Sequence, residues 1–367
     1  MDRRDFIKFV GTGSLIFPFT QSIASQQHNL SLSEWKSYRL TYQIDLPATG
    51  KSARLWVPLP DTNDTHYQFT QGSLWNGNAS KAEFSTIAGT NFPIFKAEWQ
   101  DSGPRNVTVS SIVKTADRFV DLRNHIETSK TSIPPSVNHF LKPTKQIPIN
   151  GIVQETAKGI TKKADPQDTL QQARALYDWV IDNGHHDASV PGRGKGDVVN
   201  MLSKDQISGK CVDLNSLFVG LSRAIGISAR LQYGIRINES EIHESLGKFG
   251  DISQAHHCRA EFYLKDSGWI PVDPADVCKV AYEDNLPVDH PAISVLREKL
   301  FGSWEMNWIA FNTAEDVQLA ANSMVKRLPF FMYPHAEVGN QVQDSLQPEE
   351  FSYKIISSEL IGTGARF

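Results

Sequence analysis

The sequence has few of the features that mark specialised protein classes. Its 367 residues include three cysteines, too few for a disulfide-stabilised scaffold. It contains no internal repeat, no low-complexity tract and no basic run interleaved with aromatic residues. A net charge of −4 also argues against a nucleic-acid partner. These absences leave a globular protein long enough for two domains or one large elaborated domain.

Motifs with established metal-ligand spacing are missing as well. His185-His186-Asp187 and His256-His257-Cys258 are clusters of ligand-type residues, but neither has H-E-x-x-H or paired C-x-x-C spacing. Gly192, Gly194 and Gly196 neither follow a strand nor open a helix, which predicts a mobile loop without a phosphate site. We therefore predict no metal and no cofactor, and keep metal-assisted hydrolysis as a weaker alternative.

The N-terminus carries the pattern of an export signal. Adjacent arginines at Arg3 and Arg4 precede a modestly apolar stretch, Phe9 to Phe19, and a small-residue cleavage pattern ends at Ala24. The apolar stretch is too short for a membrane-spanning helix. We expect residues 1–24 to be a twin-arginine signal peptide. The mature protein would then be periplasmic or secreted, without a membrane span.

The first third of the remaining chain shows the period of β-strands. From Tyr38 to Leu46, apolar and polar residues alternate, as in a half-buried strand. Leu55–Val57 and Val107–Val113 are further strand candidates, and Pro93 would place a fourth at an edge or a strand start. We predict an all-β sandwich domain over residues 35–125 and a proline-rich connector over 126–164.

The central part changes to a helical period followed by strands. Asp165-Pro166 predicts a helix start, and a second amphipathic helix runs from Cys211 to a stop at Gly226. Strands follow at Ala229–Ile237, Ala255–Leu264 and Gly268–Asp273, the last two joined by a short turn. Residues 165–283 are therefore predicted as an α+β core of helices and an antiparallel sheet. We expect the aromatic-rich residues 284–367, with strands near Phe330–Pro334 and Phe351–Ile356, to pack on this core.

Three separated residues of the core suit nucleophilic catalysis. Cys211 stands at a helix start, where the helix dipole and a nearby imidazolium lower a thiol pKa. His257 would share its proton, and Asp273 would orient the imidazole. Each residue alone is more simply a structural one; together and in this order they predict an acyl-transfer site. His256 is a rival base, because neighbouring strand residues point to opposite faces and the period alone does not choose.

The odd cysteine count leaves at least one thiol unpaired in an exported chain. An oxidising space would permit a disulfide between Cys258 and Cys278, which both lie near the His and Asp strands.

At these residues the chain resembles the transglutaminase-like superfamily, which has a papain-like core. The resemblance rests on Gly209–Asp213 with Arg223–Arg230, on His257–Tyr263, and on Gly268–Pro274, in that order over about residues 165–280. It implies Cys211 as nucleophile, His257 as base and Asp273 as orienting acid. It also implies a papain-like transglutaminase core of helix bundle plus antiparallel sheet, preceded here by the β-sandwich.

Two departures from the family pattern bear on the site. Ser228 replaces a usual proline, and Arg259 replaces a usual tryptophan near the active site, a change expected to alter the floor of the cleft and with it the substrate preference. The resemblance implies a cysteine peptidase, amidase or acyltransferase acting on a protein or peptide substrate. The alternative is a non-catalytic binding or assembly protein with a vestigial thiol site.

Overall fold

The computed structural model describes residues 34–49, 52–61, 66–123, 125, 133–204, 206–346 and 351–361. The predicted signal peptide, residues 1–24, lies outside the described residues. From Glu34 onward the chain forms one compact unit. Among the described residues, no helix has both the length and the apolar character needed to cross a membrane.

Two antiparallel five-stranded sheets form the β-sandwich within the described residues. One sheet has the order β11 (Gly250–Asp251), β20 (Ser352–Glu359), β1, β6 and β3, and the other has the order β19 (Gln341–Gln343), β18 (His335–Val338), β2, β5 and β4. The strands from the N-terminal region are β1 Lys36–Leu46, β2 Ala53–Pro58, β3 Gln68–Gly77, β4 Lys81–Thr86, β5 Pro93–Trp99, β6 Arg105–Thr115 and the short β7 Arg118–Phe119. Alternate residues of β1 are buried, as the sequence period predicts, and Pro93 begins β5.

The helices come next along the chain, with two 3₁₀ turns at His139–Leu141 and Glu244–Leu246. They are α1 Pro135–Asn138, α2 Ile152–Thr161, α3 Thr169–Asn183, α4 Val198–Leu202, α5 Cys211–Ala224, α6 Pro274–Glu283 and α7 Pro291–Lys299. Helix α5 ends beside Gly226, as predicted, with that glycine at φ +90°.

The start of α3 differs from the prediction. The Asp168 side chain caps α3 by accepting from the Gln171 N–H at 2.8 Å. Asp165 instead closes a turn ahead of the helix, accepting from the Gln167 N–H at 2.9 Å. The prediction of a start at Asp165-Pro166 was wrong because an equally good capping residue follows three positions later.

A four-stranded antiparallel sheet, in the order β13-β12-β10-β15, packs against α5. The remaining strands are β8 Gly184–His186, β9 Ile207–Gly209, β10 Ala229–Arg236, β11 Gly250–Asp251, β12 His256–Leu264, β13 Gly268–Val272, β14 Ser303–Trp304, β15 Trp308–Asn312, β16 Glu315–Val317, β17 Leu328–Phe330, β18 His335–Val338, β19 Gln341–Gln343 and β20 Ser352–Glu359. The fold is therefore the predicted α+β core preceded by β-rich structure.

The C-terminal segment divides between the two parts of the fold. Strand β15 joins the core sheet beside β10, and Met332 lies in the core cluster. Strands β18 and β20 instead pair with β2 and β1 and so complete the sandwich sheets. The predicted strand at Phe330–Pro334 was wrong beyond Phe330, where β17 ends.

Candidate active site

Cys211 occupies the first position of α5, at the base of a cleft. The Asp213 carboxylate accepts from the Lys210 N–H at 3.1 Å and so caps the helix start. The whole of α5 is buried, and Cys211 keeps 7% of its surface exposed. The cleft beside it has a volume of about 150 Å³. The cap at Asp213 and the burial of α5 therefore fix the position of the Cys211 thiol at the cleft.

The glycine-rich loop before α5 is tied to the same carboxylate. Lys195 and Gly196 each donate a backbone N–H to Asp213 at 2.9 Å. A Cβ at Gly194, where φ is +97°, would lie 1.9 Å from an Asp213 oxygen. The mobility of this loop stays a prediction; in the structure Asp213 anchors its end, and only glycine permits the close approach.

His257 and Asp273 lie at adjacent points of the core sheet. His257 is the second residue of β12, which pairs with β13, and Asp273 directly follows the end of β13. The His257 Nε2 atom is 2.7 Å from an Asp273 oxygen. Asp273 also caps α6, because its other oxygen accepts from the Asp276 N–H at 3.2 Å. One carboxylate therefore both starts a helix and orients the imidazole.

The thiol lies in the same cleft as the imidazole. Because Nε2 faces Asp273, Nδ1 is the ring nitrogen left to face Cys211. Burial opposes a thiolate at Cys211. Hydrogen bonds from Cys258 and His257 and the charge of His257 outweigh this, so the pKa of Cys211 is well below its usual range. Such a thiol is a nucleophile at neutral pH.

The pKa of His257 is raised. Burial and the charge of Arg236 oppose protonation of the ring, while the carboxylates of Asp276 and Asp273 and the Cys211 thiolate favour it more strongly. A lowered thiol pKa beside a raised imidazole pKa is the pattern of a thiolate–imidazolium pair.

Two arginines neutralise the carboxylates behind His257. Arg236 donates to Asp276 at 2.6 Å, and Arg259 lies 3.7 Å from Asp273. Burial lowers the pKa of Arg259 to about 10, still far above neutral pH. Arg259 thus occupies the position where the family usually has tryptophan and supplies a charge beneath the imidazole.

Asn215 and Trp308 hold the triad in place. The Asn215 amide donates to Asp273 at 3.2 Å and to the Cys258 carbonyl at 2.9 Å. The Trp308 indole donates to the His257 carbonyl at 2.9 Å. A Cβ at Gly234, opposite His257 in β10, would lie 2.5 Å from the Trp308 ring, so glycine is needed for this packing.

His256 points away from the acid. Its ring lies 4.5 Å from that of Tyr333, and neither of its buried nitrogens makes a hydrogen bond of good geometry among the described residues. Burial, with the charge of Arg193, lowers its pKa to about 3. His257 is therefore the histidine whose ring joins the thiol to the carboxylate.

The described residues contain one group of metal-ligand type, His257, Asp273 and Asp276, whose ligand atoms lie within 4.8 Å of one another. Neither His185-His186-Asp187 nor His256-His257-Cys258 forms such a group among the described residues. The carboxylates of this group already face Arg236 and Arg259. Two buried cations in contact with the carboxylates disfavour a divalent ion at the same place.

The disulfide considered from the sequence does not form. Cys258 and Cys278 are both free and buried. Cys258 lies against Cys211 instead, and Cys278 contacts the Ile181 carbonyl at 4.0 Å on α3.

Sequence reasoning missed several residues of this site. Arg236 and Trp308 have no local signal, because each reaches the triad only through sheet pairing. Asp276 could have been flagged, since it stands three residues after Asp273 at the start of a helix. Asn215 lies one helical turn beyond Cys211, on the face toward β12.

A buried Cys-His-Asp constellation with the thiol at a helix start defines a papain-like class of protein. Residues 154–274 match the model of the transglutaminase-like superfamily. An uncharacterised protein of Haemophilus influenzae is 35% identical over 337 residues, covering 87% of this chain and 90% of the relative. The chain belongs to the transglutaminase-like superfamily.

A solved structure supports the same fold. The crystal structure of a candidate cysteine protease from Cytophaga hutchinsonii has a TM-score of 0.55 and 14% identity. The similarity covers 91% of this chain and 94% of that chain. It extends beyond the core to the β-rich structure, and at this identity it concerns the fold alone.

Proposed function

We propose that this protein is an exported thiol enzyme that cleaves or transfers peptide or isopeptide acyl groups through a Cys211 acyl-enzyme. The observation that carries the proposal is the 2.7 Å hydrogen bond between His257 and Asp273, in a cleft that His257 and the Cys211 thiol line together. The membership of the superfamily supports it. The export part rests on the sequence pattern at Arg3 and Arg4.

In the first half-reaction the Cys211 thiolate attacks the carbonyl carbon of a substrate amide. The C–N bond then breaks, and the imidazolium of His257 gives its proton to the leaving nitrogen. The product that remains is a thioester on Cys211. Asp273 keeps the ring oriented and balances its charge throughout.

In the second half-reaction water or an amine attacks the thioester carbon. The neutral imidazole takes the proton of the attacking group, the C–S bond breaks, and the Cys211 thiolate is restored. Water gives hydrolysis, and an amine gives a new amide bond. The proposal covers both outcomes with a protein or peptide as the acyl donor.

The test is a library of peptides and amines incubated with the native protein and with Cys211→Ala, followed by mass spectrometry of cleavage and conjugation. We expect turnover by the native protein to fall about 10⁴-fold or more in the variant. Full activity in Cys211→Ala would refute the assignment. A protein that works only by binding would give no turnover in either form.

A further inference from the structure

The cleft at Cys211 is strongly positive, although the whole chain carries a net charge of −4. Its walls contain one carboxylate, that of Asp276, which is paired with Arg236. The cationic side chains that line it are Arg193, Lys210, Arg236, Lys248 and Lys279. The excess of positive charge is therefore a local feature of the cleft.

Arg193, Lys210 and Lys248 form no ion pair within the part of the chain that the structure describes. Arg193 lies on the anchored glycine loop, and Lys210 directly precedes the thiol. Burial and the nearby charge of Arg193 lower the pKa of Lys210. The charges of Cys211, Asp187 and Asp213 offset part of this effect on Lys210, and of these three groups only Cys211 lines the cleft.

His256 adds a neutral donor to the same cleft. It lines the wall and is 2% exposed, and neither ring nitrogen makes a hydrogen bond of good geometry within the described residues, although the Ser253 backbone lies close enough to favour protonation of the ring. Buried polar groups in folded proteins almost always have a hydrogen-bond partner, so these nitrogens are available to a ligand or to water in the cleft. A neutral imidazole can donate one hydrogen bond to an oxygen.

We propose that the cleft selects acyl donors that carry a carboxylate close to the scissile amide, held by Arg193 and Lys210. This inference rests on the proposed function, whose site it deepens. A guanidinium binds a carboxylate through two hydrogen bonds, and the adjacent ammonium adds a point charge. The volume of about 150 Å³ is smaller than that of a typical ligand pocket and suits one acidic side chain of a peptide. The cations also offset the repulsion between an anionic substrate and the thiolate.

A rival explanation is that these cations act only on the thiol, lowering its pKa. The two explanations differ in one ratio, that of the rates at which iodoacetate and iodoacetamide alkylate Cys211. The reagents attack the same thiolate and differ in charge. A thiolate effect changes both rates together, whereas an anion site favours iodoacetate alone.

We expect this ratio to exceed that of N-acetylcysteine amide, a thiol without a carboxylate, about five- to tenfold, measured above the pH at which the thiolate is fully formed. Arg193→Gln should remove most of the excess over the free-thiol ratio, since Lys210 stays in place, and Arg193→Lys should keep more of that excess. Lys195→Gln is the matched control, since Lys195 is exposed on the same loop and does not line the cleft. An unchanged ratio in Arg193→Gln would overturn the proposal.

A second measurement needs no reactive thiol. Isothermal titration of Cys211→Ser compares acetyl-Ala-Glu-Ala-amide with its neutral glutamine counterpart. We expect the acidic peptide to bind about tenfold more tightly. Adding Arg193→Gln to Cys211→Ser should remove most of this difference, and adding Lys195→Gln should keep it. Equal affinities would refute the carboxylate site. A preference without turnover by the native protein would instead refute the proposed function alone.

Discussion

The sandwich and the core sheet bury different kinds of side chain. Between the two five-stranded sheets the buried cluster is apolar, with residues such as Tyr42, Phe95 and Trp99. The core sheet and α5 enclose His257, Asp273 and Asp276 together with arginines, all almost fully buried. Apolar burial stabilises the sandwich, whereas in the core the desolvation of buried charges opposes part of the stabilisation from apolar burial.

Burial on both faces of the core sheet explains this difference. Helix α5 covers one face, and residues of β10 and β15 on the other face belong to the sandwich cluster. Strand β12 is therefore buried along nearly all of its length. A water-poor environment on both sides strengthens each contact of the triad and permits the large pKa shifts.

The largest expected effect comes from breaking a buried ion pair of the core. Arg236→Met removes the 2.6 Å ion pair of the buried Asp276 carboxylate and leaves it with the His257 ring, 3.6 Å away, which should lower the free energy of unfolding by about 3 kcal/mol in urea titrations. Arg174→Met is the control, because Arg174 pairs with Asp178 and Glu298 near the surface. That change should remove about 1 kcal/mol or less. Equal effects would mean that the two ion pairs are equally hydrated.

A deletion in the sandwich should affect stability without affecting chemistry. Ile355 is fully buried on β20, the strand that joins the C-terminal segment to β1. Ile355→Ala should lower the free energy of unfolding by about 2–5 kcal/mol. The iodoacetamide rate at Cys211 in the folded protein should stay the same. Val342→Ala, on an exposed position of β19, is the control and should change stability by about 0.5 kcal/mol or less.

A changed alkylation rate in Ile355→Ala would break the comparison, since it would mean that the sandwich positions the triad. The protein should also unfold in one transition, because each sandwich sheet contains strands from both the N-terminal and the C-terminal parts of the chain. Two separate transitions would show that the sandwich unfolds independently of the core.

The sequence predicts the parts of this fold in which local pattern and burial agree. Alternation predicts β1, and apolar spacing with a terminal glycine predicts α5. Strands β3 and β4 gave no such signal, because most of their side chains are exposed or half-buried. A strand paired mainly through its backbone leaves little trace in hydropathy.

The site was predictable to the extent that its residues follow one another along adjacent strands. His257 and Asp273 sit on a hairpin, whose short turn brings them together from the sequence alone. Arg236 and Trp308 arrive through sheet order, which is a long-range property. The choice between His256 and His257 also lay beyond the strand period, since both faces of β12 are buried and apolar alternation is lost.

The smallest expected effect concerns the hydrogen bond between Cys258 and the reactive thiol. Burial, with the neighbouring Cys211, raises the pKa of Cys258 well above its usual range, so Cys258 stays a neutral donor. Because the pKa of Cys211 is lowered, its alkylation should persist into mildly acidic solution and fall only as the pH drops through that pKa. Cys258→Ala removes one stabiliser of the thiolate and should move this inflection to higher pH.

At a pH below the inflection, Cys258→Ala should slow iodoacetamide about tenfold, and above it the rates should converge. Cys278→Ala is the matched control: Cys278 is an equally buried thiol whose pKa burial raises to about 12, bonded to the Ile181 carbonyl away from Cys211. It should leave the profile in place. If the pH profile of Cys211 alkylation shifts equally in both variants, the loss of any buried thiol in the core changes the pKa of Cys211. The contact with Cys258 would then have no specific effect, and the core would differ from the sandwich only in composition.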